Sequence, residues 1–226
     1  MADERSLRAG VLSWSGGKDS SLALWRCRQE GWHVRWLLTT VTEPYARISM
    51  HGVRVGLLEA QAAAAGVELR TVQIPAPCSN DEYARRMGSA VTALMELGAD
   101  GFVFGDLFLE DIRAYREAQL RRVGASAVFP LWGADTAALA RRFVAEGFEA
   151  RICTVDPRRL ERTFAGAAFD DAFLDALPPA VDPCGENGEF HTFVHAGPIF
   201  DHPIPVRTGE VVERDGFVFA DLLPDA

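Results

Sequence analysis

An α/β fold built on a parallel sheet is the class that this 226-residue sequence predicts, and three observations predict it. Short apolar runs of strand character alternate with longer segments whose apolar residues recur at helical spacing. The helical segments between the runs are long enough to serve as right-handed βαβ crossovers. The composition, 48% hydrophobic and 24% charged, is that of a globular chain able to bury a sizeable core, which excludes disordered, collagen-like and low-complexity classes. At ~150 residues per domain, the length predicts one to two domains.

The elements follow in order. Val11-Leu12-Ser13-Trp14 reads as a buried strand, followed by a glycine pair and then by Leu22, Ala23, Leu24, Trp25 and Cys27 at helical spacing. Next come a strand over 34–41, a helix over 53–65 ending at Gly66, a strand over 69–74, a helix over 81–97 and a strand over 101–104. Pro75 and Pro77 break the chain after the third strand, and Asp81 and Glu82 suit the positive end of the helix that follows. Glu110, Asp111 and Arg113 read as the first turn of another helix. A second segment begins near Phe129-Pro130-Leu131-Trp132-Gly133. It holds a helix over 136–146 capped by Gly147 and a strand over 149–155, and Asp156-Pro157 opens a further helical stretch. After Leu177 the chain turns to Pro, Gly, Asp and aromatic residues, which predicts short strands, Phe217-Val218-Phe219 among them, and ordered loops. The five tryptophans are expected in the core.

Charge and cysteine usage narrow the function. Against 23 Lys plus Arg stand 32 Asp plus Glu, net −9, and Lys18 is the only lysine. Residues 1–130 carry 15 basic and 15 acidic side chains, whereas residues 131–226 carry 8 and 17, so the whole surplus is C-terminal. A basic footprint is missing and nucleic acid is not an expected partner. No apolar stretch approaches the ~20 residues of a membrane span, and Met1-Ala2-Asp3-Glu4-Arg5 lacks a signal-peptide core, so no membrane partner and a cytoplasmic location are expected. Cys27, Cys78, Cys153 and Cys184 lie far apart without a C-x-x-C pair, which reads as reduced thiols rather than a metal knuckle or disulfide scaffold.

The segment Ser13-Trp14-Ser15-Gly16-Gly17-Lys18-Asp19-Ser20 is the strongest candidate for chemistry. Adjacent glycines let backbone N–H groups turn into a concave anion site, and the following helix aims its dipole at the same point. Ser15 and Ser20 add hydroxyls, and Lys18 adds a mobile cation. The spacing fits neither G-x-x-x-x-G-K-[ST] nor G-x-G-x-x-G. It suits a pyrophosphate held as a unit. The plain alternative is a glycine turn with Asp19 or Ser20 as an N-cap.

Ser15-Gly16-Gly17-Lys18-Asp19-Ser20 resembles the S-G-G-x-D-S signature of the PP-loop, or N-type, ATP pyrophosphatases, which split ATP between its α and β phosphates. Gly105-Asp106-Leu107, Pro130-Leu131-Trp132 and, above all, Cys184-Gly185-Glu186-Asn187-Gly188-Glu189-Phe190-His191-Thr192 resemble the diphthine–ammonia ligase, or diphthamide synthetase, family over nearly the whole chain. The resemblance implies a HUP-type, Rossmann-like ATP-binding domain over 1–130 and a smaller α+β substrate-binding domain over 131–226. It further implies an enzyme that adenylates the diphthine carboxylate of an elongation factor and lets ammonia displace AMP. Ser49-Met50-His51-Gly52-Val53-Arg54, with Leu57-Leu58-Glu59-Ala60-Gln61, resembles a bacterial branch. Bacteria lack diphthamide and some members of that branch have been linked to cobalamin metabolism, so the acceptor is left as diphthine or a bacterial carboxylate.

Such a cycle needs ATP neutralised, Mg²⁺ held, a carboxylate positioned and ammonia admitted. The cradle, from Ser13 and Ser15 through Ser20, with Lys18 supplies the first need. Magnesium takes oxygen ligands and keeps several waters, so one or two carboxylates suffice. Asp106, beside Gly105 at a strand's carboxyl end, is the first candidate and Asp19 the second, with helix capping as the plain reading of each. Glu186, Asn187 and Glu189 are candidates for binding ammonium and taking its proton, a surface turn being the alternative. His51 is a candidate contact to nucleotide or substrate, or a structural histidine. Thr39 and Thr40 are candidates for the adenine site, or ordinary β-branched strand residues. The competing functions are a tRNA-modifying PP-loop ATPase, which would want a basic patch and paired cysteines, and a non-catalytic ATP-binding module. The expected partners are ATP, ammonia and a carboxylate acceptor, free or on a protein, with homo-oligomer formation left open.

Overall fold

The computed structural model describes residues 9–43, 47–48 and 52–225. The first half alternates β1 (Gly10–Ser13), α1 (Lys18–Gln29), β2 (Val34–Thr42), β3 (Arg47–Ile48), α2 (Val55–Ala65), β4 (Glu68–Ile74), α3 (Asn80–Glu96), β5 (Gly101–Val103), α4 (Glu110–Arg122) and β6 (Ala127–Val128). Five of these strands form a parallel sheet in the order β4-β2-β1-β5-β6, and the two-residue β3 pairs antiparallel with the end of β2. The chain runs outward from β1 to β2 and β4, then crosses back to β5 on the other side of β1. The carboxyl ends of β1 and β5 therefore flank a topological switch point, where open α/β sheets bind ligands.

Strand alternation sorts the core into two layers. Leu12, Leu37 and Val103 face one way, toward α1 and α2. Val11, Trp36, Leu38, Phe102 and Phe104 face the other, toward α3 and α4. Helix starts follow local chemistry: the Ser79 hydroxyl caps α3 by accepting from Glu82 N at 3.2 Å, and Asp135 caps the next helix through Ala138 N at 2.8 Å.

The second half contains α5 (Thr136–Ala145), β7 (Glu149–Val155), α6 (Asp171–Ala176), β8 (Phe190–Ala196), β9 (Val206–Arg214) and β10 (Phe217–Pro224). Its strands form an antiparallel sheet in the order β8-β7-β10-β9. Phe143, Phe148, Phe169, Phe173, Phe190 and Phe193 fill the space between this sheet and its helices, and they belong to the same continuous cluster as Leu12, Leu22 and Leu58 of the first half. One apolar core thus runs from the α1/α2 face of the parallel sheet into the second sheet.

Two expectations need correction. Asp156-Pro157 does not open a helix: the Asp156 carboxylate accepts from Arg158 N at 3.0 Å and from its Nε at 2.7 Å, a local turn that competes with helical pairing. The chain instead makes one 3₁₀ turn at Arg162–Phe164 before α6. The tail is also more regular than short strands. Asp215 and Gly216, at φ 53° and 79°, form a tight two-residue turn that joins the nine-residue β9 to the eight-residue β10. Of the tryptophans, Trp14 and Trp36 are buried as expected, while Trp25, Trp32 and Trp132 are only partly so. No helix among the described residues is long and apolar enough to cross a membrane.

Candidate active site

The site forms where the β1–α1 loop, the end of β5 and the loop before β8 converge. Gly16 adopts φ 75°, a conformation that favours glycine, and a Cβ there would sit 2.7 Å from Gln61 Oε1. Gly17 occupies the N-cap position of α1 without a side chain to cap it. The missing cap comes from far along the chain: Thr192 Oγ1 on β8 accepts from Lys18 N at 3.0 Å. Ser20 Oγ donates to Gly17 O at 3.0 Å and lies 3.2 Å from Ser15 Oγ, so both hydroxyls line the loop. A Cβ on Gly105 would meet the Asp19 backbone at 2.8 Å, so only a glycine lets the end of β5 lie against the first turn of α1. That contact brings Asp106 to the loop.

Lys18 departs from the mobile cation expected of it. It is 3% exposed, and its ammonium donates to Asp19 Oδ1 at 2.9 Å, to Asp19 Oδ2 at 2.8 Å and to the Cys184 carbonyl. The Phe190 ring lies 5.7 Å away. Burial opposes its charge, but Asp19, Cys184 and Glu186 outweigh that and hold its pKa above the ordinary lysine value. Asp19 is pushed up by burial and pulled back by Lys18. Its side chain keeps 29% of its exposure and both oxygens meet the ammonium, so we read the pair as ionised.

Glu186 reaches across to the parallel sheet, where its Oε1 accepts from Leu107 N at 2.8 Å, while its own N–H donates to Asp182 Oδ2 at 3.0 Å. Burial pushes its carboxyl up to about 7; the Leu107 N–H and Lys18 pull it down, and Asp19 and Asp106 add to the rise. Asn187 is exposed, and its amide donates to Glu189 Oε1 at 3.0 Å. Glu189 is 1% exposed; Oε1 also accepts from Asp182 N at 3.2 Å and lies 3.7 Å from Arg159 Nη1, and Oε2 is buried with no hydrogen-bond partner among the described residues. His191, one residue beyond Phe190, is pushed down to about 4 by burial and by Lys18, and so stays neutral.

Asp106 lies 2.8 Å from Arg116 Nε through Oδ2 and accepts from its Nη2 at 3.2 Å through Oδ1. The 2.8 Å contact is misaligned, leaving both Oδ2 and Nε buried without a hydrogen bond among the described residues. Among the described residues no three His, Cys, Asp or Glu side chains converge to hold a metal by themselves. Magnesium does not require that: one or two carboxylates with substrate phosphates suffice, and Asp106, ion-paired to Arg116 but with Oδ2 outside any aligned hydrogen bond, fits that donor set together with Asp19.

Beside the loop, a cavity of about 430 Å³ lies between α3 and α4 over the sheet. Ser13, Leu38 and Phe104 line its inner end, Met87 and Gly88 one wall, and Arg116 the other. Thr39 and Thr40 do not line this cavity; within β2 they stand in register with Thr71 and Val72 of β4. His51 lies outside the described residues.

Comparison with known proteins decides the family. The model of the diphthamide synthase N-terminal domain matches residues 8–127, and that of the C-terminal domain matches residues 135–219. This chain belongs to the diphthamide synthase family. It is also 27% identical over 233 residues to a diphthine–ammonia ligase of Rattus norvegicus, a match covering 91% of this chain and 85% of the relative. In diphthamide synthase terms, the glycine cradle and Asp106 come from the N-terminal region, and Glu186, Glu189 and Thr192 from the C-terminal region. Three contributors were not picked out as site residues by their sequence: Gln61, Thr192 as a cap, and Arg116. The partners of Gln61 and Thr192 lie up to 174 residues away, so no local sequence signal marks either residue.

Proposed function

We propose that this chain is an ATP-dependent ammonia ligase that forms AMP, with residues 1–130 handling the nucleotide and residues 131–226 the acceptor and ammonia. The observation that carries this reading is the meeting of two loops at one lysine: Lys18 of the cradle is held by the Cys184 carbonyl, and Glu186, two residues on, is held by Leu107 beyond β5. A site for phosphates and a site for ammonia are thereby built within reach of each other.

ATP binds with its phosphates on the cradle, where Gly17, Lys18, Ser15 and Ser20 supply donors, and its purine extends past Ser13 into the α3/α4 cavity, which is ample for a nucleoside. The phosphates compete with Asp19 and Cys184 for the Lys18 ammonium. Asp106, with Asp19, would hold Mg²⁺, which would neutralise phosphate charge. An acceptor carboxylate oxygen attacks the α-phosphorus, the α–β bridging bond breaks, and pyrophosphate leaves with the bond's electron pair. The rat relative is named for diphthine; for this chain the acceptor is diphthine or another carboxylate, free or on a protein. Ammonium is drawn by the buried Oε2 of Glu189, which has no hydrogen-bond partner among the described residues, with Asn187 bracing that carboxylate. Glu186, titrating near 7, takes the proton that makes ammonia a nucleophile. Nitrogen adds to the acyl carbon, the acyl–oxygen bond breaks, AMP departs with the bond's electron pair, and the extra proton on nitrogen passes to water.

The test is product stoichiometry. With ATP, Mg²⁺, ammonium and carboxylate acceptors, including diphthine-bearing elongation factor and corrinoid acids, AMP and pyrophosphate should appear in equal amounts. Release of ADP and phosphate, or ATP binding without turnover for any acceptor, contradicts the reading.

A further inference from the structure

Gln61, on α2, is a fully buried amide that the steps above do not use. Its Nε2 donates to Gly16 O at 2.9 Å and to Val194 O at 2.6 Å, and its Oε1 accepts from Trp14 Nε1 at 3.1 Å. The orientation is unambiguous, because both carbonyls can only accept and the indole can only donate. Val194 N donates to the same Gly16 carbonyl at 2.9 Å. The phosphate loop, α2 and β8 therefore meet at this one side chain.

The consequence for the loop is geometric. In a trans peptide the C=O and the following N–H point in opposite directions. Two donors pin the Gly16 carbonyl inward, so the Gly17 N–H of the same peptide is turned outward, on the side of the crevice. Among the described residues that N–H has only a long contact, 3.3 Å, to Ser15 Oγ.

We propose that Gln61 is a positioning residue of the phosphate site. It fixes the Gly16–Gly17 peptide so that Gly17 N–H is presented to the ATP phosphates, and it ties that orientation to β8, the strand that also caps α1 through Thr192 and follows the loop carrying Glu186 and Glu189. Gln61 does not touch substrate; it acts through the peptide it holds. The proposal rests on ATP binding at this loop.

The test compares wild type with Gln61→Met, which keeps length and volume but cannot donate to either carbonyl. The readouts are binding of α,β-methylene-ATP, the ¹⁵N–¹H signal of Gly17, and thermal unfolding. The expected result is at least tenfold weaker binding with a displaced Gly17 signal in a protein that still folds. Gln61→Asn retains the amide but is one methylene short; it is read the same way if the methionine variant does not fold, with the same tenfold loss expected. Binding within twofold of wild type in the folded variant overturns the proposal and leaves Gln61 a structural amide. If wild type itself does not bind the analogue, the ATP reading fails and takes the proposal with it, an outcome distinct from a variant that binds normally.

Discussion

The two faces of the parallel sheet are covered in different ways. On one face, α1 and α2 and then the whole C-terminal module close a continuous core, and the phosphate loop is gripped there by Gln61, Thr192 and Val194. On the other face, α3 and α4 bury few of their own residues, only Val91 and Leu94 of α3 and Leu120 of α4, and leave the cavity that opens beside Ser13. On the proposed function the difference divides the tasks: the packed face holds the loop's shape, while the open face takes the nucleoside. Side chains on the first should govern geometry and stability, and those on the second affinity.

Lys18→Met should have the largest effect, on the packed side, where Lys18 joins the phosphate loop to the C-terminal loop through the Cys184 carbonyl. Turnover should fall at least ~10³-fold, because one charge-stabilising donor alone is worth about 10²–10³ in rate and the lysine also anchors the second loop. Rapid-quench measurement of AMP formation checks this; activity within tenfold of wild type would separate Lys18 from the chemistry.

Leu58→Ala tests the packed face. Leu58 is fully buried, and its side chain would lie 3.1 Å from a Cβ on Gly16, so truncation should cost about 3 kcal/mol in denaturant unfolding. A loss under 1 kcal/mol would mean that this face is looser than its packing indicates.

Gly88→Leu tests the open face with the smallest effect. An added Cβ meets nothing within 4 Å, and the position lines the cavity inside α3. Helix propensity should raise stability by up to about 1 kcal/mol, while filling the cavity should raise the KM for ATP about tenfold, equivalent to about 1.4 kcal/mol. Opposite signs on stability and affinity are the signature; an unchanged KM would place the purine elsewhere.

Much of this fold was legible because its causes are local. The alternation of Val11 and Leu12, or of Phe102 and Val103, announces a sheet covered on both faces, and Ser15 through Ser20 announce the cradle. What escaped was non-local or competitive. The Thr192 cap and the Gln61 junction depend on partners brought close only by the C-terminal sheet, and the Cys184 carbonyl, equally distant in sequence, joins Asp19 in turning Lys18 from a mobile cation into a clamped one. The Asp156 turn escaped because a side chain outcompeted the helix that Asp-Pro suggests. The Asp215-Gly216 turn was written in the sequence, but the exposed β9 has little apolar alternation to frame it.

Glu186 is where the division of labour can be examined most directly. Its raised carboxyl means that the folded protein holds a proton that the unfolded chain releases near 4.5, so this group's contribution to stability declines as pH rises from about 4.5 to about 7. Glu186→Gln removes that decline and can still accept from Leu107 N, so the loop should stay in place. The decisive measurement follows acceptor-dependent ATP–pyrophosphate exchange and amide formation side by side in wild type and Glu186→Gln. In wild type, amide formation should rise with pH through a limb near 7. In the variant that limb should vanish and amide formation at pH 8 should fall about 100-fold, while exchange stays within about threefold of wild type. Parallel loss of both activities, or retention of both, would contradict a site in which the cradle activates the carboxylate and the C-terminal loop delivers ammonia.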